Sequence, residues 1–540
     1  MHDAAATEAP NRKLSPQSLT RLRASFPTLA EASLATGSAL LLVLSFPDFD
    51  LWWWLAWIGL VPLLVSVSRT PKASHAFVLG WLWGVIFFYG TCWWLTYPMV
   101  RYAHIGAALA YVLLLLPVIC VAFFPALFCA ALVRLVSRFG PAALLAAPFL
   151  WVSLELGRYA VTGQMWNAIG YSQAFHPVLI QSARWGGVYA ISFLVAAANA
   201  AIALALLRQT VLKRVVSVVM LAMILLVLAL AHIQVISEPE FSSEPQNLVV
   251  AVQPNVPMEG SDDSAVMREL LNRHLELSLK GLGPGRDGYM KASLVIWPES
   301  PMNFSYSRDS QLRAAVATFA RTNHTAVLLN SLEPAPNAGE HNSAILVNEE
   351  GRIVAQYDKI RLMPFGEYVP LPHWLPGASS VRGIVGDFTP GSSYTLMPLG
   401  DLRAGVFICI EAAHPGIARS FVNEGADVLI NISNDGYLGP TPVMRQHLAN
   451  AIFRAVENNR EVLRVTNSGI SAYIASSGRV MDSTTGFDPT VRAWTASRKH
   501  AGSTFYTRHG DVFAYLCALI SLGFVAASFN ITKNAINRRG

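Results

Sequence analysis

Acidic side chains are nearly absent from the first part of the chain. Between Asp50 and Glu238 there is one, Glu155, and only six of the 34 acids precede Glu238, while none follows Asp511. Charged residues make up 14% of the 540, against about 25% in an average soluble protein. With 53% hydrophobic residues and a mean hydropathy of +0.40, the chain is too apolar to be wholly soluble and too aromatic to be disordered. Cysteine is scarce: Cys92, Cys120, Cys129 and Cys517 fall in apolar runs, and Cys409 stands alone in the polar part. That excludes a disulfide scaffold and leaves Cys409 as either a buried small hydrophobe or a reactive thiol. No His/Cys/Asp cluster has metal-binding spacing, so neither a metal nor a cofactor is expected. The net charge of +6 gives no nucleic-acid signal, because the basic residues lie in short clusters beside apolar runs.

What the first part does contain is apolar runs long enough to span a bilayer, near 30–47, 52–68, 76–97, 106–133, 141–157, 187–207 and 215–235, with an eighth near 512–529. The first two flank Pro47-Asp48-Phe49-Asp50 and read either as two spans or as one re-entrant hairpin. A cleaved signal peptide fits the first run less well, since no small-residue cleavage site follows it. Trp52, Trp53, Trp54, Trp93, Trp94 and Tyr97 form the aromatic belt of an interface. Arg12, Lys13, Arg21 and Arg23 precede the first run; Arg69 and Lys72 follow the second, Arg134 and Arg138 the fourth. Arg208, Lys213 and Arg214 follow the sixth, and Lys533, Arg538 and Arg539 the last. Basic connections alternate, which puts both termini in the cytoplasm and the segment of about 275 residues between the last two spans outside, in the periplasm if the cell is Gram-negative.

That segment has ordinary globular composition. Strands are expected at Leu248–Val252, Leu294–Trp297, Ala326–Leu329, Ala344–Val347, Ile353–Tyr357, Arg403–Ile408, Val428–Ile432, Val462–Val465 and Ser471–Ile474. Helices are expected at Ser264–Lys280, Ser310–Arg321, Pro415–Asn423 and Pro442–Asn459. The alternation predicts α/β layering. Gly281–Gly288 and the Pro- and Gly-rich stretch Met363–Ser393 predict loops. The predicted map is a tail over 1–29, a seven-helix bundle over 30–236, an α/β domain over 237–511, a final span over 512–529 and a basic tail over 530–540.

Three polar residues close apolar strands: Glu299, Lys359 and Cys409. Strand ends line ligand crevices in layered α/β folds. A thiol, a carboxylate and an ammonium together make a nucleophile, a base and an oxyanion stabiliser. Singly, each has a plain reading: a turn carboxylate, a core thiol, a solvated amine.

The local sequences carry more. Trp297-Pro298-Glu299, then Tyr357-Asp358-Lys359 leading into Arg361-Leu362-Met363-Pro364-Phe365-Gly366-Glu367-Tyr368-Val369-Pro370, then Gly405-x-x-x-Cys409-x-Glu411, resemble the nitrilase (carbon–nitrogen hydrolase) superfamily. Asn434-Asp435-Gly436-Tyr437, Gln446-His447, Glu155-x-x-Arg158 and Thr162-Gly163-x-x-Trp166-x-x-x-Gly170-Tyr171-Ser172-Gln173 resemble its membrane-embedded branch, the apolipoprotein N-acyltransferase family, over about 30–530. The resemblance implies an eight-helix transmembrane bundle carrying an α-β-β-α sandwich in the bacterial inner membrane. It implies ping-pong acyl transfer from a phospholipid, typically phosphatidylethanolamine, through a Cys409 thioester to the N-terminal S-diacylglyceryl-cysteine of a lipoprotein. Glu299 corresponds to the general base, Lys359 to the oxyanion stabiliser, and Glu367 and Glu411 to supporting carboxylates.

Ile410 departs from the pattern, standing where the family usually has an aromatic residue, and no Trp follows Gln253-Pro254-Asn255-Val256-Pro257. Glu155, Arg158 and Trp166 are candidates for lipid binding, the first two alternatively a structural pair; His447 reads as a structural histidine. A site facing the bilayer, with the apolar loops Met363–Phe365 and Leu371–Leu375 dipping toward it, a monomer and no nucleic acid complete the expectation. Two other classes fit less of the sequence: a membrane-anchored amidase, which would share the triad, and a non-catalytic lipid-binding or transport protein, which has no reason to keep it.

Overall fold

The computed structural model describes residues 27–70, 72–207, 210–237, 246–258, 264–283, 292–302, 304–336, 339–369, 388–497 and 502–536. The N-terminal tail up to residue 26, residues 537–540, Arg208 and the loop Leu371–Leu375 lie outside them, and the expected tail from 530 is helical as far as Ile536.

Among the described residues, seven helical segments are long and apolar enough to cross a membrane. The 16-residue helix α1 (Leu29–Leu44) precedes six of them. These are α2 (Leu51–Arg69), α3 (Ala73–Arg101), α4 (Ala107–Phe139), α5 (Pro141–Thr162), α6 (Ala183–Leu206) and α7 (Val211–Ser237). The α/β part adds α8 (Ser264–Leu282), α9 (Ser310–Asn323), α10 (Pro415–Asn423) and α11 (Val443–Asn458), and α12 (Val512–Ile536) closes the chain. A capping box starts α1, the Thr28 hydroxyl accepting from the Glu31 amide and the Glu31 carboxylate from the Thr28 amide. At 1.5 Å per residue α1 is about 24 Å long, short of a hydrocarbon core of about 30 Å. It stays separate from α2, joined through the turn at Pro47.

Twelve strands make two six-stranded sheets. They are β1 (Gln246–Gln253), β2 (Ala292–Ile296), β3 (Ala326–Pro334), β4 (Glu340–Val347), β5 (Ile353–Asp358) and β6 (Leu396–Leu399), then β7 (Leu402–Ile408), β8 (Val428–Ser433), β9 (Val462–Thr466), β10 (Ala472–Ile474), β11 (Val480–Ser483) and β12 (Thr490–Ser497). The orders are β12-β1-β2-β3-β4-β5 and β11-β10-β9-β8-β7-β6. In each, three parallel strands are flanked by antiparallel ones. Both faces of the central strands are buried, so they read as continuous apolar runs. Side chains still alternate: Val249, Ala251, Leu294, Ile296 and Leu328 enter the core between the sheets, while Val250, Val252, Val295, Trp297, Val327 and Leu329 pack under α8 and α9. With α10 and α11 on the other sheet, the layers are α-β-β-α, as expected. Three strands, β6, β11 and β12, were not expected. All are edge strands, in which Pro398 or mixed polar residues mask the period.

The bundle and the sandwich share one core. Val152, Met165, Tyr171, Tyr189 and Ile191 of the bundle belong to the same buried cluster as Phe407, Leu448, Ile452 and Phe453. The join depends on a break in α6. Gly187 has φ +62°, and the Val188 amide, released from the helix ladder, donates to Glu457 Oε1 at 3.1 Å. A Cβ at position 187 would lie 2.6 Å from the ring of Tyr506. Gly187→Ala is therefore expected to destabilise the protein by about 1–3 kcal/mol, read as a lower thermal midpoint in detergent; an unchanged midpoint would show that the break does not need glycine.

Candidate active site

The three strand-closing residues meet. Glu299 follows β2, Lys359 follows β5 and Cys409 follows β7. Lys359 Nζ donates to Glu299 Oε1 at 3.2 Å and to Glu367 Oε1 at 2.8 Å, with its side chain 1% exposed. Burial opposes the ammonium, but the Glu299 and Glu367 carboxylates more than offset it and hold Lys359 above its ordinary range. Burial first, then the Glu299 carboxylate, push the Cys409 thiol well above the usual thiol range. At rest the thiol keeps its proton beside a carboxylate placed to take it, the arrangement of a base-activated nucleophile.

Two supporting carboxylates fix the geometry. Glu411 Oε1 accepts from the Ile360 amide (2.8 Å), the Arg361 amide (3.0 Å) and the Tyr357 hydroxyl (2.8 Å), and Oε2 accepts from the Ile408 amide (2.8 Å). One side chain thus ties the end of β5, which carries Lys359, to the end of β7, which carries Cys409. Burial raises its carboxyl despite these donors. Glu367 Oε2 accepts from the Met363 amide at 2.7 Å, closing the turn that precedes it. Cys409 sits at φ +52°, a left-handed conformation that costs a non-glycine residue about 1–2 kcal/mol.

Asn342 was not read from the sequence. Its Nδ2 donates to Glu299 Oε1 (2.9 Å) and Glu367 Oε1 (2.7 Å), and its Oδ1 accepts from Asn330 (2.7 Å). The strand expected there began at Ala344, and Asn342 lies in the polar half of β4, Glu340–Ser343, where nothing local marked it. Tyr357 was read as strand alone and serves Glu411.

Ile410 packs against Trp94, Trp166 and Leu438. The bundle thus brings two indoles to the position next to the nucleophile. Glu155 and Arg158 hold the loop that carries one of them: Arg158 Nη1 donates to the Trp166 carbonyl at 2.6 Å, and Glu155 Oε1 accepts from the Ile169 amide at 2.9 Å. Together they border a cavity of about 30 Å³, room for about two waters. Among the described residues no His/Cys/Asp/Glu group is arranged to hold a metal.

A thiol, a carboxylate and a buried ammonium stand at the strand ends of an α-β-β-α sandwich, and residues 252–494 match the carbon–nitrogen hydrolase family. Residues 38–201 match the apolipoprotein N-acyltransferase N-terminal domain. The apolipoprotein N-acyltransferase of Geobacter metallireducens is 33% identical over 506 residues, spanning 92% of this chain and 95% of that one. The Rhizobium rhizogenes protein of the same name is 28% identical, spanning 90% and 94%. The chain belongs to the apolipoprotein N-acyltransferase family and is an acyltransferase. Among solved structures, an amidase of the nitrilase superfamily from Nesterenkonia aligns with 50% of this chain and 96% of its own, at 16% identity and a TM-score of 0.37.

Glu411→Gln replaces four-fold acceptance with one oxygen and an amide that opposes a donor. The expected loss is about 1–3 kcal/mol, measured by thermal unfolding, together with lost Cys409 reactivity; native stability and reactivity would remove the tie.

Burial holds His274, packed on Trp297, at about 4 and His414 at about 3. Both are neutral in the fold, whereas unfolded histidine titrates near about 6.5. Protons therefore bind the unfolded chain first, and stability falls as pH drops from about 6.5 toward these values. His414→Gln is expected to flatten the dependence of the thermal midpoint between pH 7 and 5; an unchanged slope would exclude His414 from it.

Proposed function

We propose that this chain N-acylates the S-diacylglyceryl-cysteine at lipoprotein N-termini, taking the acyl group from a phospholipid, with phosphatidylethanolamine as donor. The observation that carries the reading is the Lys359 ammonium paired with Glu299 and Glu367, with both Lys359 and Glu299 acting on the Cys409 thiol, in a site walled by indoles from the membrane bundle.

In the first half-reaction Glu299 takes the thiol proton, Cys409 sulfur attacks the ester carbonyl, and Lys359 balances the oxyanion. Collapse expels the lysophospholipid alkoxide, which Glu299 reprotonates. In the second, the acceptor amine attacks the thioester, Glu299 receives its proton, and the thiol is restored as the amide forms. A single carboxylate alternates between base and acid, and the fixed ammonium needs no reorganisation as charge develops. Glu367 and Asn342 orient Lys359 and Glu299; Glu411 positions the two strand ends. Trp166 and Ile410 contact the acyl donor, while Glu155 and Arg158 act through the loop that bears Trp166. Met363–Phe365 supports the placement at the membrane: Phe365 is half exposed at the turn closed by Glu367. Each acyl methylene removed from the bilayer costs about 0.8 kcal/mol, so a site at the membrane surface avoids extracting the chain.

The reading places the protein in the bacterial inner membrane as a monomer, both termini cytoplasmic, with the catalytic domain over 237–511 in the periplasm between the bundle of 30–236 and the last span at 512–529.

Intact mass of the purified protein after incubation with phosphatidylethanolamine is expected to show one acyl adduct. The adduct is absent in Cys409→Ala and released by a diacylglyceryl lipopeptide. Release by water at the same rate would make the protein a hydrolase. Lys359→Ala is expected to slow adduct formation about 10²–10³-fold; an unchanged rate would remove Lys359 from the chemistry.

A further inference from the structure

Gln446 and His447 lie in the first turn of α11, and both are buried. Neither has a part in the proton transfers above, yet their side chains make seven polar contacts that bridge the nucleophile and the bundle.

His447 Nδ1 faces Asp435 Oδ1 at 2.8 Å, and Nε2 faces the backbone carbonyl of Cys409 at 2.9 Å. A carboxylate and a carbonyl only accept, so each ring nitrogen faces an acceptor. Asp435 is gripped from its other side by Arg464 Nη2, 2.9 Å from Oδ2 and 3.2 Å from Oδ1; Arg464 in turn bonds Asn431. Burial pushes Asp435 up, but Arg464 and His447 more than offset it and hold the carboxyl at about 2. The chain of contacts ends on a residue in strained backbone, Cys409 at φ +52°. A fixed donor on its carbonyl holds that peptide, and with it the direction of the Sγ.

Gln446 faces the bundle. Its Oε1 accepts from the indole N–H of Trp166 (2.8 Å) and of Trp94 (3.2 Å). Its Nε2 donates to the Thr91 carbonyl (3.0 Å) and to the Asp48 carboxylate (3.1 and 3.2 Å). Three separate stretches of the bundle part converge on this amide: the turn after α1, α3 and the loop after α5. Consecutive helix residues point about 100° apart, so one turn of α11 places a clamp on the nucleophile next to a clamp on the bundle.

We propose that Gln446 and His447 are positioning residues that set the Cys409 thiol against Glu299 and Lys359 and tie that setting to the helical bundle. The proposal rests on Cys409 being the nucleophile, and not on which lipid it attacks.

The test uses full-length protein in detergent and two readouts by intact mass, with Cys409→Ala as blank. The first is the rate of Cys409 alkylation by iodoacetamide, which needs no lipid. The second is the rate of acyl-enzyme formation across phosphatidylethanolamine concentrations. His447→Phe is expected to slow the saturating acylation rate about 10²-fold, and alkylation at least about ten-fold, with the half-saturating lipid concentration within about three-fold of wild type. His447→Gln, which keeps one N–H, is expected to recover about ten-fold, and Gln446→Glu, which turns a carboxylate onto Asp48 and the Thr91 carbonyl, to lose about ten-fold. Wild-type rates in folded His447→Phe, or a loss confined to the half-saturating concentration, would overturn the proposal. Should His447→Phe not fold, wild-type rates in both other variants overturn it. If wild-type protein alkylates at Cys409 but takes no acyl group from any phospholipid, the proposed function fails while alkylation still decides the positioning roles.

Discussion

The ammonium of Lys359 is sealed from water, and everything around it follows from that. An isolated buried charge costs several kcal/mol even after relaxation, so the site must deliver compensating carboxylates within hydrogen-bonding distance. It delivers two, Glu299 from the end of β2 and Glu367 from the turn after β5. Those carboxylates would repel each other without the cation and without Asn342, which donates to both. The same ammonium limits what Glu299 does to the neighbouring thiol: the carboxylate raises Cys409 while Lys359 lowers it. Glu299, Glu367 and Lys359 are one electrostatic unit beside the Cys409 thiol, and removing the ammonium would leave two facing carboxylates without their counter-charge.

How much of this was legible in the sequence depends on where burial leaves a pattern. The central strands were readable because both their faces are buried and their residues are apolar throughout. Edge strands β6, β11 and β12 were not, since a half-exposed strand with Pro398 or a run such as Thr490–Ser497 resembles a loop. Glu299, Lys359 and Cys409 were readable as polar residues closing apolar strands, and their neighbours matched a known family. Asn342 and Tyr357 were not, because hydrogen bonds between neighbouring strand ends, or from one sheet to the other, have no local spacing. Glu155 and Arg158 stood out as charges in an apolar setting, yet only the fold shows that their bonds go to the Trp166 loop. Ile410 read as a missing ring; the indoles of Trp94 and Trp166 pack on it from elsewhere in the chain.

The bundle is more than an anchor. It contributes the aromatic wall of the site, the groups that the Gln446 amide clamps, and part of the core on which the second sheet rests. The break at Gly187 shows the same sharing at backbone level: an amide freed from a bundle helix is satisfied by Glu457 on a helix of the sandwich, where Arg454 also bonds it. Burial against the bundle pushes Glu457 up to about 7 with Arg454 opposing, so the amide, the guanidinium and the carboxylate hold each other in place.

That shared core sets an order of assembly. Ala514 and Cys517, on the last helix, belong to the same buried cluster as Val152 of α5 and the strands of both sheets. The sandwich is therefore translated in full before one of its own packing surfaces exists. Residues 246–497 precede α12 in the chain, so this packing surface is supplied after the rest of the sandwich. That helix is in this sense a keystone, made after the body whose interior it helps to close.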